Sequence, residues 1–181
     1  IPIEYFATAL TWLSHQPGVD PHRMYVMGSS RGTEAAQLVA IHYPDLVHGV
    51  ILGSPSNRAN FSYPEQGAAA WTLDGKGVPT ERNFGAAPYV NGPAVLQDEL
   101  IRGPMLMVCG GLDSEWYGCP FAHAIITRLR LHHSTDKAVL YAYPNAGHAV
   151  CNFDPLYPFW VPAGTKLSFE MGKTPLSSSV V

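Results

Sequence analysis

The sequence lacks a long hydrophobic run, a strong excess of one charge and a basic stripe. No window approaches the ~18 consecutive apolar residues of a membrane-spanning helix, and no basic-then-apolar leader is present. Eleven Lys and Arg against 14 Asp and Glu give a net charge of −3, with no basic run to follow a phosphate backbone. We therefore expect a soluble, cytoplasmic protein without a membrane span and without a nucleic-acid partner.

Cysteine is also scarce. The chain has only three, an odd number without C-x-x-C spacing: Cys109, Cys119 and Cys151. This pattern supports neither a disulfide framework nor a zinc site, so we expect three reduced cysteines. The adjacent His132 and His133 have no third ligand at metal-binding spacing. We expect no metal and no cofactor.

What the chain does contain is an apolar, weakly charged composition with alternating strand and helix patterns. Its 181 residues are 46% hydrophobic and 14% charged, which predicts one domain with a large buried fraction. Helical patterns cover about 3–15, 32–40 and 121–131, and apolar runs cover 24–27, 46–52, 105–108 and 138–143. Runs that are apolar at successive positions are typical of strands buried on both faces. The alternation predicts an α/β fold with a mostly parallel, doubly wound sheet.

The domain organisation follows from where these patterns stop. We assign 1–154 to one partial α/β domain, with an irregular excursion at about 55–103 that we expect to lie over the sheet edge and to cover the substrate pocket. Prolines and a terminal serine run predict an irregular tail at 155–181. Because the chain starts at Ile1 directly in a helical pattern, we also expect that a preceding segment is missing.

A G-x-S-x-G motif stands between the first apolar run and a helix. It reads Gly28-Ser29-Ser30-Arg31-Gly32, and its strand-to-helix context is that of a nucleophile elbow. A serine on such a sharp turn needs nearly absent side chains two residues to either side, hence the glycines. Ser30 is then the candidate nucleophile, and the Arg31 N–H is a candidate oxyanion donor. Ser29 is a nucleophile only if the motif is misregistered.

An acid and a histidine follow the two later strands. Asp113 comes after the 105–108 run and His148 after the 138–143 run. Loops at the carboxyl ends of parallel strands converge on one crevice, and the order Ser, Asp, His is that of hydrolases with this architecture. We predict that Asp113 orients His148, which activates Ser30. Glu115 is a rival acid, and we interpret the other seven histidines as structural or solvated.

Several segments resemble a known family. They are Glu4–Phe6, Ala9–His15, Val19-Asp20, the Met27–Glu34 elbow, the Gly110-Gly111-Leu112-Asp113 acid segment and Tyr143–His148. Together they resemble the C-terminal catalytic domain of the acyl-CoA thioesterase and bile acid-CoA:amino acid N-acyltransferase family. The resemblance covers about residues 1–150 and implies an α/β-hydrolase fold, a thioester substrate and an acyl-enzyme. In that family serine at the nucleophile position belongs to the thioesterases, so Ser30 favours hydrolysis.

Two departures from the family pattern leave alternatives open. Strands that precede the elbow strand in the family are absent here, so the second oxyanion donor is not visible, and no closing helix is evident after His148. We expect truncation at both ends or a decayed copy. The alternatives are a general carboxylesterase or dienelactone-type hydrolase, an acyl-CoA:amino acid N-acyltransferase, and an inactive fragment that acts as a binding module.

Overall fold

The computed structural model describes residues 1–63, 67–83 and 85–151, and of Cys151 only the backbone. The expected irregular tail at 155–181 lies outside the described residues. Helices α1, α2 and α3 span Ile3–Ser14, Gly32–His42 and Gly118–Leu131; strands β1 to β6 span Val26–Ser29, Val50–Gly53, Thr72–Leu73, Lys76–Gly77, Met105–Gly110 and Ala138–Tyr143. None of the described helices has both the length and the apolar character needed to cross a membrane.

The central sheet has four parallel strands in the order β1-β2-β5-β6. The order of the strands in space therefore follows their order in the chain, with the short antiparallel β3–β4 hairpin set aside. This confirms the expected α/β architecture with a mostly parallel sheet. All four carboxyl ends meet at one edge, which is where the candidate loops leave the sheet.

The core lies on one face of this sheet. Met105 and Met107 of β5 and Leu52 of β2 are fully buried against helix residues such as Leu38 and Ile125. Alternate residues of the four sheet strands point to the opposite face and are exposed or half-buried: Met27, Ile51, Leu106, Val108, Val139 and Tyr141. The expectation that the first strand is buried on both faces is therefore wrong, because none of the described helices covers this second face.

Several element boundaries differ from the sequence pattern: β1, for example, lies two residues later than the 24–27 run. The apolar run at 46–52 becomes a strand only at Val50, because a turn after α2 holds Leu46 and Val47 through bonds to the Tyr43 carbonyl. Helix α3 begins at Gly118, earlier than expected, and Pro120 is accommodated in its first turn, where a missing N–H costs nothing. The final strand has the predicted bounds, 138–143.

The excursion packs against the helices and contains a buried polar cluster. Arg58 is fully buried, and its guanidinium donates to the carbonyls of Ala86 and Ala87 and lies over the rings of Tyr89 and Phe121. A buried charge is tolerated when hydrogen bonds and aromatic faces replace its hydration. Composition alone showed this stretch only as irregular.

A disulfide joins Cys109 and Cys119, with their Cα atoms 5.1 Å apart. The expectation of three reduced cysteines is therefore wrong for this pair. The spacing argument failed because the two residues are ten positions apart and meet only when the chain turns back from β5 into α3.

Candidate active site

Ser30 stands on a sharp turn between β1 and α2. It is one of four described non-glycine residues with positive φ, at +54°. Its N–H donates to the Gly53 carbonyl at 2.8 Å, and its own carbonyl accepts from the Thr33 N–H and hydroxyl. The left-handed backbone is thus fixed by β2 on one side and by the first turn of α2 on the other, as a nucleophile elbow requires.

The two motif glycines have different roles in this turn. A Cβ on Gly28 would overlap the backbone of Gly32 and Thr33, so this position needs glycine. A Cβ on Gly32 would meet no atom within 4 Å. The sequence analysis expected that both positions must lack a side chain, and the structure shows this requirement for Gly28 alone. Ser29 is an exposed β1 residue in register with Gly53, whereas Ser30 has the strained conformation.

Asp113 and His148 form a close pair at the carboxyl ends of β5 and β6. His148 Nδ1 lies 2.8 Å from Asp113 Oδ2, and the two side chains are 13% and 2% exposed. Asp113 Oδ1 accepts from the backbone N–H groups of Glu115 and Trp116. The rival acid Glu115 is exposed and contributes its N–H to the orientation of Asp113. With a proton on Nδ1, the Nε2 of His148 is available as a base.

The loops that carry this pair are bonded to each other. Gly111 and Leu112 donate backbone N–H groups to the carbonyls of Tyr143 and Ala146, both at 2.9 Å. A Cβ on Gly110 would overlap the carbonyls of Ala146 and Gly147. The glycines before Asp113 therefore permit the close approach that brings the carboxylate to the imidazole.

Ser54 links the elbow to the histidine loop, and sequence reasoning missed it. It is fully buried, has φ +45°, and donates its hydroxyl to the His148 carbonyl at 2.8 Å. Its N–H donates to the Val108 carbonyl, while the preceding Gly53 accepts from Ser30. The only sequence signal was its position directly after a strand, at the edge where the site forms.

The structure does not join Ser30 to His148 by a hydrogen bond. Within the described residues the Ser30 hydroxyl and the Arg31 N–H have no hydrogen-bond partner. The Arg31 guanidinium donates to the Phe61 carbonyl at 2.9 Å, so this side chain holds the excursion against the elbow. Catalytic hydrogen bonds often tighten only when substrate binds.

Helix α2 is anchored below the elbow by a buried carboxylate. Glu34 is fully buried and accepts from the backbone and side-chain N–H groups of Asn60 and from Trp71 Nε1, at 2.7 to 3.1 Å. Burial raises the pKa of Glu34, while the Asn60 and Trp71 donors act to lower it. The excursion is thus fastened to the helix that follows the candidate nucleophile.

The other candidate groups lie apart from this edge, with the exception of Trp116. Among the described residues no cluster of three His, Cys, Asp or Glu could hold a metal ion. The rings of His22 and His48 pack edge to face near the other end of the sheet, and Trp116 is buried beside the acid with its Nε1 donating to Pro55. A groove of about 590 Å³ beside α1 includes Trp12 and Tyr43 and none of the candidate site residues.

Comparison with known proteins adds two relatives. Residues 1–166 match the family model described as BAAT / acyl-CoA thioester hydrolase C terminal. Mouse acyl-coenzyme A thioesterase 6 is 24% identical over 183 residues, which cover 96% of this chain and 42% of the mouse protein. Mouse acyl-coenzyme A thioesterase 3 is 26% identical over 166 residues, covering 83% and 37% respectively. The chain spans about two fifths of the length of these relatives.

Solved structures share the fold. A Klebsiella pneumoniae protein described as a dienelactone hydrolase superposes with a TM-score of 0.54 at 17% identity, over 81% of this chain and 49% of that one. At this identity the likeness concerns the fold, which is that of the α/β hydrolases.

Proposed function

The chain belongs to the BAAT / acyl-CoA thioester hydrolase C-terminal family, and from that premise we propose that it is a serine hydrolase that cleaves acyl thioesters. The observation that carries the proposal is the 2.8 Å contact between His148 and Asp113 at the same sheet edge as the strained Ser30. The family match supports the thioester as substrate class.

In the first half-reaction Ser30 Oγ attacks the thioester carbonyl while His148 Nε2 takes its proton. Asp113 holds the imidazole and stabilises its protonated form. The carbonyl oxygen becomes an oxyanion, for which the free Arg31 N–H at the start of α2 is the donor we assign. As the tetrahedral intermediate collapses, the carbon–sulfur bond breaks and His148 protonates the departing thiolate.

In the second half-reaction water attacks the acyl-enzyme. His148 removes its proton and then returns one to Ser30, which releases the carboxylic acid. If an amine reaches the acyl-enzyme before water, the same steps give an amide. The identity of the acceptor therefore decides the product, and a serine nucleophile favours hydrolysis without excluding transfer to an amine. One oxyanion donor is worth ~2.7 to 4 kcal/mol, so a second donor would raise the rate further.

The experiment is labelling with a fluorophosphonate, followed by mass spectrometry of the modified peptide. We expect modification at Ser30, none in Ser30→Ala, and a loss of at least ~100-fold in labelling rate in Asp113→Asn. Asp136→Asn, an exposed acid away from the sheet edge, is the matched control. A folded protein with no modified Ser30 would favour the reading as an inactive binding module.

Substrate class is tested by comparing acyl-CoA with simple aryl esters. A kcat/KM for acyl-CoA well above that for p-nitrophenyl esters supports the thioesterase proposal, and the reverse supports a general carboxylesterase.

Cytoplasmic location stays a prediction. Disulfides persist mainly in oxidising compartments, so the Cys109–Cys119 bridge makes subcellular fractionation the relevant measurement.

A further inference from the structure

The Cys109–Cys119 disulfide closes the loop that carries the candidate acid. Cys109 is fully buried near the end of β5, and Cys119 is the second residue of α3, where it is only partly buried. Asp113 lies between them in the chain. The bridge therefore ties both ends of the acid loop to one point at the edge of the sheet.

The end of this loop that enters α3 packs directly on the acid. A Cβ on Gly118 would come within 3.3 Å of Asp113 Oδ2 and 3.2 Å of Ser54 Cα, so the first residue of α3 forms one wall around the carboxylate. Tyr117 gives this helix no side-chain cap. The neighbouring Cys119 is the covalent attachment that holds the first turn of α3 to β5.

The opposite end of the loop is held differently. At that end Gly111 and Leu112 are bonded to the histidine loop through their N–H groups. Nearer α3, Trp116 donates its Nε1 to the Pro55 carbonyl. These bonds do not depend on the bridge. Reduction would consequently leave these bonds in place and would remove the covalent attachment of the first turn of α3, whose Gly118 confines Asp113 Oδ2.

We propose that the Cys109–Cys119 bridge is a positioning pair for Asp113, so that the hydrolase is more active oxidised than reduced. The inference rests on the proposed function, because it assigns Asp113 as the acid. A displacement of about 1 Å can cost up to ~100-fold in rate, and the remaining loop bonds limit the loss. We expect the maximal rate of Ser30 acylation to fall about 10-fold on reduction.

The reductant is a small thiol, the class of compound that thioester hydrolysis itself releases. Its thiolate attacks the sulfur of Cys119, the less buried of the two cysteines. A mixed disulfide forms, and Cys109 leaves as a thiolate that takes up a proton. A second thiol attacks the mixed disulfide, which releases Cys119 as a thiol and the reductant as its own disulfide. Two electrons pass from the two thiols to the bridge.

The test measures fluorophosphonate labelling of Ser30 across a concentration series, with the bridge intact and after reduction by a phosphine. Alkylation and mass spectrometry establish the state of each cysteine. We expect the limiting rate of labelling to fall about 10-fold while the half-saturating probe concentration changes less than about 2-fold. Reoxidation should restore the rate, and the Cys109→Ala/Cys119→Ala double variant should match the reduced protein and ignore the phosphine.

Three results would overturn the inference. Equal limiting rates in both verified redox states would show that the bridge does not position Asp113. Loss of the far-ultraviolet helical signal on reduction would show that the bridge holds the whole fold together. Absence of Ser30 labelling in either state would contradict the proposed function and this inference with it, whereas the first two results leave the proposed function intact.

Discussion

Ser54 shows how one residue can serve several loops of a site. A serine with φ +45° occupies a conformation that glycine adopts at lower cost, yet its hydroxyl holds the His148 carbonyl. Ser54→Gly keeps the backbone and removes the bond, so we expect kcat to fall about 10-fold with little change in KM. Ser54→Ala should lose the same activity and should be about 1 kcal/mol less stable than Ser54→Gly, because alanine keeps a Cβ in the left-handed conformation.

The control for this prediction is a second strained residue far from the site. Asp74 has φ +50° in the exposed β3–β4 turn, and its N–H bonds to Glu4, a contact that a glycine retains. Asp74→Gly should leave kcat unchanged. If Ser54→Gly also left kcat unchanged in steady-state assays, the Ser54 hydroxyl would have no positioning role.

Asp98 makes stability depend on pH. It is fully buried, and neither of its carboxyl oxygens has a hydrogen-bond partner among the residues that the structure describes. Burial, helped by the Glu99 charge, raises the pKa of Asp98 well above the usual range. The folded state therefore binds a proton that the unfolded state releases, and stability falls as pH rises from about 3.8 through the raised pKa.

Asp98→Asn should remove this slope and stabilise the protein at pH 7. Urea unfolding at a series of pH values measures it. Asp45→Asn is the control, because the Asp45 side chain is 88% exposed in its contact with Arg102. Parallel pH slopes for wild type and Asp98→Asn would contradict the assignment.

At the scale of elements, Glu34 fastens the excursion to α2. Its carboxylate accepts three N–H donors, whereas a glutamine amide would turn its own N–H₂ toward at least one of them. We expect Glu34→Gln to cost ~1 to 3 kcal/mol in urea unfolding at pH 7. The control is Asp136→Asn, at an exposed position, which should change stability by less than about 0.5 kcal/mol. An equally small change for Glu34→Gln would show that the Glu34 hydrogen bonds do not hold the excursion on α2.

Local patterns predicted the three helices and the four strands of the central sheet, because periodicity and Gly or Pro breakers act within a few residues; they did not predict the β3–β4 hairpin. The Gly28 motif, the acid segment and the 138–143 strand were all evident from the sequence. The disulfide, Ser54 and the Glu34 contacts were not, because each depends on chain segments that meet only in three dimensions. Ser54 and His148 are 94 positions apart, and no local pattern connects them.

At the scale of the whole molecule, the described fold has one packed and one open sheet face. Met107 is fully buried and Val139 is 50% exposed on the opposite face of the neighbouring strand. Met107→Ala should cost ~2 to 5 kcal/mol, whereas Val139→Ala should cost less than about 1 kcal/mol. Denaturant unfolding of the two variants measures both losses of stability. If Val139→Ala lost as much stability as Met107→Ala, the face that carries Val139 would be covered in solution.

The strand order β1-β2-β5-β6 has a consequence for the timing of synthesis. Each strand of the central sheet can add to the edge left by its predecessor as the chain leaves the ribosome, without waiting for a later strand to insert between them. The turn at Ser30, the proposed nucleophile, forms with the first strand pair, whereas His148, the proposed base, follows the last strand. A nascent chain thus contains Ser30 for 118 residues of elongation before His148 is synthesised.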